Sequence, residues 1–314
     1  TEIYTLSLHD ALPIYVRRKV EKWVMEVEKL STIAATEPHM AYSAFTHGLA
    51  SRWSYLARTV PSISSLLEPL EEAVRLKFLP ALTGRPAPSA EMRELLALPA
   101  RLGGLGLINP CSLVNEHSAS IKVSAPLVAL ILQQDPSLQG APALQKQAKA
   151  LAHQQRRKKQ LEDALQLRPR LSAKLCRAID LASEQGASTW LTTLPIDAHG
   201  FALHKAGFQD ALCLRYGWQP DHLPALCVCG SSFSVDHALS CPTGGFPSIR
   251  HNEMRDFSAT LLSEVCTSVT IEPPLQPLSG EFLPGASAIT GPEARSNISA
   301  CGFWGGEIGR ASCR

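Results

Sequence analysis

The stretch VRRKVEKWVMEVEKLSTI, residues 16–33, carries the pattern that decides the fold class. Its apolar positions recur every three or four residues, and charged residues fill the positions between them. In a helix with 3.6 residues per turn, this spacing gathers the apolar side chains on one face. The stretch therefore predicts an amphipathic helix, whose apolar face is formed by Val20, Trp23, Val24, Val27, Leu30 and Ile33.

The helical periodicity continues along the chain to about residue 223. Thr36 and Pro38 supply the next helix start, because a capping side chain and a proline in the first turn both suit a helix N-terminus. Further helices are predicted for residues 66–78, a short segment opened by Ser89, and residues 112–134, 143–166, 169–186 and 200–217. The predicted fold class is mainly α: a helical region, then a small Cys/His zinc knuckle, then a truncated α/β segment.

Length and composition exclude several classes of protein. A chain of 314 residues with 45% hydrophobic residues can form more than one domain core. A net charge of +2 argues neither for nor against nucleic acid, so any electrostatic case depends on local patches. No apolar run approaches the ~20 residues of a membrane span, and no signal peptide is visible, so no membrane partner is predicted.

The nine cysteines point to chemistry rather than to a disulfide framework. Three of them lie close together, and most of the others are single, which is typical of a reducing compartment. The predicted location is therefore intracellular, in the cytoplasm or the nucleus. The sequence makes no prediction of oligomeric state.

The clustered residues are Cys227, Cys229, His237 and Cys241, with the spacing C-x-C-x7-H-x3-C. Three thiolates and one imidazole match the ligands of a tetrahedral zinc site, and four protein ligands make such a site closed and structural. A helical turn would place His237 and Cys241 on one face, because they lie four residues apart. Since C-x-C is less specific than C-x-x-C, buried cysteines with a core histidine remain the alternative. His251 is a reserve ligand.

A basic run, Arg156, Arg157, Lys158 and Lys159, lies in one of the predicted helices. Four consecutive cations extend around the whole helix, so some of them must be solvated. Two interpretations stay open at this stage: a solvated helix face, or a patch that contacts the phosphates of RNA or DNA. The glycine-rich stretch at residues 98–106 has neither GxGxxG nor a P-loop lysine, so it predicts a turn between helices rather than a phosphate-binding loop.

Nine segments of the chain carry a family resemblance: HMAYSAFTHG (39–48), WSYLART (53–59), LPARLGGLG (98–106), WLTTLPI (190–196), HGFALHK (199–205), LRYGW (214–218), CVCG (227–230), VDHALSC (235–241) and GGFPSIRHN (244–252). They resemble the C-terminal region of reverse-transcriptase open reading frames from mobile elements similar to the non-LTR retrotransposons of invertebrates. The resemblance covers nearly all of residues 16–306.

The resemblance implies a segment that follows the polymerase palm of a parent RNA-directed DNA polymerase. It also implies that the Cys/Cys/His/Cys knuckle handles nucleic acid. Polymerase catalysis needs paired carboxylates that hold two metal ions. The sequence contains no Asp-Asp pair, so no catalytic residue is assigned, and this part of the polyprotein is expected to be inactive as a polymerase.

Both ends look like translated sequencing-adapter oligonucleotides: TLSLHDALPI at residues 5–14 and EIGRASCR at residues 307–314. The chain is therefore expected to be a fragment of a longer reading frame. Its predicted segments are an unstructured end (1–15), a helical region after the palm (16–166), a helical connector (167–226), the zinc knuckle (227–252), a truncated segment (253–306) and a second adapter-like end (307–314).

Some related elements carry a restriction-like nuclease after the knuckle. Residues 249–267 could form its first helix, with Glu264 near the end, and residues 268–272 its first strand. Ser296 and Asn297 stand where such a nuclease would need a metal-binding carboxylate, so a working nuclease is not expected here.

The sequence thus predicts a non-catalytic, nucleic-acid-associated fragment with structural zinc as its cofactor. RNA or DNA is the predicted partner, with low sequence specificity, and Arg250 and Arg255 add a second contact near the knuckle. The alternatives are a zinc-stabilised helical protein-interaction module and the remnant of a restriction-like endonuclease.

Overall fold

The computed structural model describes residues 8–60, 62–133, 141–221, 223–273 and 296–302. The chain divides into two units, Thr1–Pro220 and Asp221–Arg314. None of the described helices is long and apolar enough to span a membrane.

The first unit is built from helices, as the sequence predicted. In chain order its α-helices are α1 Leu8–Ala34, α2 Pro38–Ala44, α3 Ala50–Thr59, α4 Glu68–Ala73, α5 Leu79–Thr83, α6 Ala90–Ala97, α7 Pro110–Gln133, α8 Ala141–Leu167, α9 Ala173–Ala182, α10 Thr189–Thr192 and α11 Lys205–Tyr216. Two π-helical turns, Phe45–Leu49 and Val74–Phe78, connect α2 to α3 and α4 to α5.

Helix α1 presents most of the predicted apolar face to the core. Val20, Trp23 and Val27 are buried, whereas Ile33 is 49% exposed and does not belong to the buried face. The expectation that residues 1–15 are unstructured is wrong for residues 8–15, which form the first turns of α1. Elongating an existing helix adds one hydrogen bond per residue without a new nucleation step, so the helix extends upstream of its buried face. Residues 1–7 and 307–314 lie outside the described residues.

Aromatic side chains form the centre of the core. The Trp53 ring lies edge-on to those of Trp23 and Phe45, with centroid distances of 6.1 and 5.8 Å. Phe45 in turn stacks on Phe78 with centroids 4.6 Å apart. Large rings bury more apolar area than other side chains, so this cluster ties α1, α3 and the two π-helical turns together.

Two helices are shorter than their patterns predict. The segment predicted at 169–186 is helical only at Ala173–Ala182, and the one predicted at 200–217 begins at Lys205. In both, a side chain upstream caps the helix: Ser172 Oγ accepts from Leu175 N, and His204 Nδ1 accepts from Gly207 N. Periodicity alone does not reveal such boundaries, because residues outside a helix can still contribute apolar side chains to the core.

The glycine-rich stretch is a tightly packed turn, as predicted. A short 3-10 turn, Ala100–Leu102, leads into Gly103, whose φ of +85° favours glycine. The buried Arg215 guanidinium donates to the carbonyl oxygens of Ala100 and Gly104, both at 3.0 Å. These bonds anchor the turn to α11, so the backbone of the turn is enclosed by protein rather than open to a phosphate.

A buried histidine makes the stability of the first unit depend on pH. His117 is 6% exposed, and its Nε2 has no hydrogen-bond partner among the residues that the structure describes. Burial first, and then the charges of Arg58 and Arg156, lower the pKa of His117 from 6.5 to about 4. A lowered histidine pKa means that the unfolded chain binds more protons between these two values, so stability is lost as pH falls through this window.

We therefore expect the free energy of unfolding to fall by about 2–3 kcal/mol between about pH 7 and pH 4.5 because of His117 alone. The His117→Asn variant keeps a polar atom but does not ionise, so its loss over the same range should be smaller by that amount. Urea titrations of both proteins at the two pH values measure the difference. Equal losses would show that His117 does not carry the pH dependence.

The second unit contains two helices and two strands among its described residues. They are α12 Val235–Ser240, α13 Phe246–Ser263, β1 Ser268–Ile271 and β2 Ile298–Cys301. The strands pair antiparallel, with Ser268 opposite Cys301 and Ile271 opposite Ile298. The predicted helix and the strand after it are both confirmed, with α13 beginning and ending slightly earlier than residues 249–267.

Little of the described second unit is buried. Five side chains in it are less than one tenth exposed: Cys227, Cys241, Ala259, Cys266 and Ser296. Two of these belong to the predicted metal site. Folding this unit costs conformational entropy, and so small an apolar core does not offset that cost. Cross-linking by a bound metal would therefore add a large share of the unit's stability.

Candidate metal centre and cationic cavity

A tight turn brings the first two cysteines of the cluster into position. Gly230 has a φ of +85°, and its N–H donates to the carbonyl of Cys227 at 2.8 Å. The Cys227 N–H donates to the carbonyl of Ser231 at 2.9 Å, and a bridge pairs Leu226 with Ser232. The chain therefore reverses around Cys229, and glycine supplies the left-handed conformation that this reversal needs.

Helix α12 positions the other two ligand candidates. Ser234 caps it, accepting a hydrogen bond at 3.1 Å from the N–H of His237. The Cys241 N–H donates to the His237 carbonyl at 2.8 Å, so one helical turn connects the two residues. The predicted placement of His237 and Cys241 on one face of a helical turn is confirmed.

The four side chains converge on a single point. Their candidate ligand atoms all lie within 4.8 Å of one another. Cys227 Sγ is 3.8 Å from Cys241 Sγ, and Cys229 Sγ is 3.2 Å from His237 Nε2. Zinc–sulfur bonds of ~2.3 Å at tetrahedral angles place two sulfurs just under ~4 Å apart, so the Cys227–Cys241 distance fits a shared metal ion.

The surroundings of the cluster suit a bound cation. Cys227 and Cys241 are buried, His237 is half-buried and Cys229 is exposed. Hydrogen bonds from the side chain and the backbone of Ser231 lower the pKa of the Cys229 thiol to about 6. A thiol must lose its proton to bind a metal, so this lowering favours the binding form of Cys229 near neutral pH.

The reserve ligand is not used. His251 is exposed on α13 and does not belong to the converging group. Within the described ranges, the group of His, Cys, Asp or Glu side chains that lie close enough to hold a metal ion is Cys227, Cys229, His237 and Cys241. Among the residues considered for a nuclease, Glu264 is exposed and Ser296 is buried next to β2. Residues 292–295 of that region lie outside the described residues.

The basic run lies on α8, and its four cations have different surroundings. Lys158 lies 3.9 Å from Glu162 and Lys159 lies 3.3 Å from Asp163, each pair one helical turn apart. Arg156 and Arg157 have no ion pair within the described part of the chain. Instead, both line a cavity of about 580 Å³ that also contacts Arg101.

The two arginines predicted near the knuckle also differ. Arg250 is exposed on α13. The Arg255 side chain is 13% exposed and forms ion pairs with Asp256 and with Glu272. Two carboxylates already compensate the Arg255 charge, so its proposed phosphate contact would require breaking these pairs.

Sequence reasoning missed three residues that shape these sites. Ser231 accepts a hydrogen bond from Cys227 N–H and Ser234 accepts one from His237 N–H, so both position the cluster. Their places next to the motif were the signal that could have identified them. Arg101 gave no such signal, because it lies 55 residues from Arg156 in the chain and reaches the cavity only through the fold.

Comparison with protein-family models, with curated proteins and with solved structures gave no match for this chain.

Proposed function

We propose that this chain is a non-catalytic segment of a retroelement reverse-transcriptase polyprotein, and that it associates with nucleic acid through a zinc knuckle and a basic helix. The observation that carries the proposal is the convergence of Cys227, Cys229, His237 and Cys241. The same four residues stand within the segments whose sequence resembles the region after the polymerase in such reading frames.

The proposed role of the metal is structural. Four protein ligands fill a tetrahedral zinc site and leave no open position for a substrate or an activated water. In this proposal zinc holds the turn around Cys229 against α12, in a unit that has few other buried side chains. Its contribution to binding is to fix the shape of the knuckle rather than to take part in a reaction.

The proposed contact with nucleic acid is electrostatic. Arginine and lysine bind phosphate oxygens without regard to base sequence, and such contacts supply most of the affinity in non-specific binding. Arg157 and Lys158 are exposed on α8, and Arg156 and Lys159 are half-buried. Low sequence specificity follows, because phosphate contacts carry no information about the bases.

A salt titration tests the proposal. The zinc-loaded chain should bind RNA or DNA oligonucleotides of unrelated sequence with a Kd on the order of 10⁻⁴–10⁻⁶ M at physiological salt. Replacing Arg156, Arg157, Lys158 and Lys159 together by Gln should weaken binding. The slope of log K against log salt should flatten by roughly 0.7–0.9 for each phosphate that the variant no longer neutralises, because fewer counterions are released. Fluorescence anisotropy of a labelled oligonucleotide measures both quantities.

Helix α1 offers a matched control, because replacing Arg17, Arg18, Lys19 and Lys22 by Gln removes the same charge from another helix of the first unit. This variant should keep the slope of the parent protein. If the parent, the α8 variant and the α1 variant bind identically at every salt concentration, the α8 cations are only a solvated helix face.

A protein-interaction module is the second candidate, and one observation favours it. Met254, Phe257 and Leu261 lie three and four residues apart on α13 and are 60%, 60% and 48% exposed. Apolar side chains at this spacing form a continuous stripe, and exposed apolar stripes are typical of protein–protein contact surfaces. Binding that is insensitive both to salt and to the α8 substitutions would favour this candidate.

A further inference from the structure

The cavity beside the basic helix has walls from three parts of the first unit. It is an open cavity of about 580 Å³ next to the glycine-rich turn. The turn and the residues around it contribute one wall, α7 a second and α8 a third. Its lining residues are Pro99, Arg101, Ile108, Leu113, Glu116, His153, Arg156, Arg157 and Gln160.

The α8 wall explains which cations of the basic run face the cavity. His153, Arg156, Arg157 and Gln160 are separated by three, one and three residues, which is the spacing of one helical face. Lys158 is absent from this lining, and Lys159 lines a neighbouring cavity instead. Arg156 and Arg157 therefore line the same cavity as Arg101, whereas Lys158 and Lys159 do not.

The charges that line the cavity are unbalanced. Three guanidinium groups, those of Arg101, Arg156 and Arg157, face a single carboxylate, that of Glu116. Arg101 is held by a hydrogen bond from its Nη2 to Gln160 Oε1 at 2.8 Å. Burial first, and then the charge of Arg157, lower the pKa of Arg101, which indicates that the two guanidinium groups repel each other. A bound anion would relieve this repulsion.

The neighbouring cavity shows the opposite arrangement. It measures about 460 Å³, and the charged residues in its lining are three cations and three carboxylates. Its cations are already paired: Arg93 with Glu71 at 2.6 Å, Lys159 with Asp163 at 3.3 Å, and Arg170 with Glu94. Of these two cavities, the one that holds Arg101 has the excess of positive charge.

We propose that this cavity is a phosphate-binding site, in which Arg101 and Arg157 contact a backbone phosphate of the nucleic-acid strand and Arg156 adds to the positive potential. The proposal rests on the proposed function and narrows it to two contacts. Guanidinium groups donate two parallel hydrogen bonds to phosphate oxygens, so a pair of arginines fixes the position of a phosphate more firmly than two lysines do. Lys158 and Lys159 contribute less, because Glu162 and Asp163 offset their charge on the same helix.

Two double variants of the full, zinc-loaded chain test the site. Arg101→Gln with Arg157→Gln removes the two proposed contacts. Lys158→Gln with Lys159→Gln removes the same charge from the adjacent positions. Anisotropy of a labelled single-stranded RNA is measured from roughly 50 to 200 mM salt, where each phosphate contact accounts for roughly a threefold change in affinity. Thermal melts followed by circular dichroism establish that both variants are folded.

We expect the arginine variant to flatten the salt slope by about 0.7, the amount for one phosphate of a single strand, and the lysine variant to leave it nearly unchanged. Arg101→Lys with Arg157→Lys should restore most of the slope but only part of the affinity, since it keeps the charge and loses the bidentate geometry. Inorganic pyrophosphate is then added to the parent and to the arginine variant, with and without the labelled RNA. This measures whether the cavity binds a free phosphate compound, and whether that compound displaces the polynucleotide.

Equal effects of the arginine and lysine variants would overturn the cavity site while leaving the proposed function intact. So would a parent-like slope in the arginine variant. If the parent protein binds pyrophosphate in an Arg101-dependent manner but binds no polynucleotide, the cavity is a phosphate site and the proposed function fails.

Discussion

Replacing Cys227 and Cys241 by Ser is expected to abolish zinc binding and to unfold the segment around the knuckle. These two thiols are among the few buried side chains of the described second unit, so the metal would be its principal cross-link. In structural zinc sites the apparent binding free energy is on the order of 10–16 kcal/mol, and most of it stabilises the folded state. Elemental analysis of the purified protein should give one zinc per chain for the parent and none for the double variant.

The structural consequence is measured by limited proteolysis. Cleavage between residues 221 and 245 should be slow in the zinc-loaded parent and fast in the Cys227→Ser/Cys241→Ser variant or after chelation. Proteolysis of the first unit should not change. Cys301→Ser is a matched control, because Cys301 is an exposed cysteine of the same unit that lies outside the converging group. A parent protein that carries no zinc, or a double variant that retains it, would refute the metal site.

The second large effect is expected for Gly104→Ala, which should destabilise the first unit by about 3–5 kcal/mol. A Cβ at this position would lie 1.9 Å from the carbonyl oxygen of Leu98 and 2.6 Å from that of Leu95. The Leu98 carbonyl accepts a hydrogen bond at 2.8 Å from Gly106 N, and Arg215 donates to the carbonyl of Gly104 itself. Relief of the overlap would therefore break several hydrogen bonds.

Chemical denaturation followed by tryptophan fluorescence measures this effect, because Trp23 and Trp53 lie in the core of the same unit. Gly48→Ala serves as the control, since a Cβ there meets nothing within 4 Å and needs no positive φ. It should be neutral or slightly stabilising, because alanine restricts the unfolded chain. A Gly104→Ala midpoint within error of the parent would show that the turn relaxes easily, contrary to the packing described above.

The candidate metal centre could be predicted from the sequence because its determinants are local. All four ligand candidates lie between residues 227 and 241, and a glycine turn with one helical turn is enough to bring them together. The fold class could be predicted for the same reason. Helix formation depends on residues three and four positions apart, so the buried Val20, Trp23 and Val27 are visible in the sequence of α1. The relation to retroelement reverse transcriptases stays a prediction.

The basic run shows what the sequence leaves undecided. Lys158 and Lys159 have carboxylates four positions further along the same helix, so their pairing is visible in the sequence. That Arg156 and Arg157 instead line a cavity with Arg101 depends on the packing of the glycine-rich turn, α7 and α8. Arg101 and Arg157 line one cavity although 56 positions separate them in the chain. Arg255 looked available for a phosphate contact, whereas the fold pairs it with Asp256 and Glu272.

The sequence by itself therefore determined the helical class and the four residues that can hold a metal, because helical turns and tight turns are set by neighbours in the chain. Only the tertiary structure decided that Arg101 and Arg157 share a cavity and that Glu272 reaches Arg255. Coulomb interactions depend on distance in space, and the distance between residues far apart in the chain is fixed only when the helices pack.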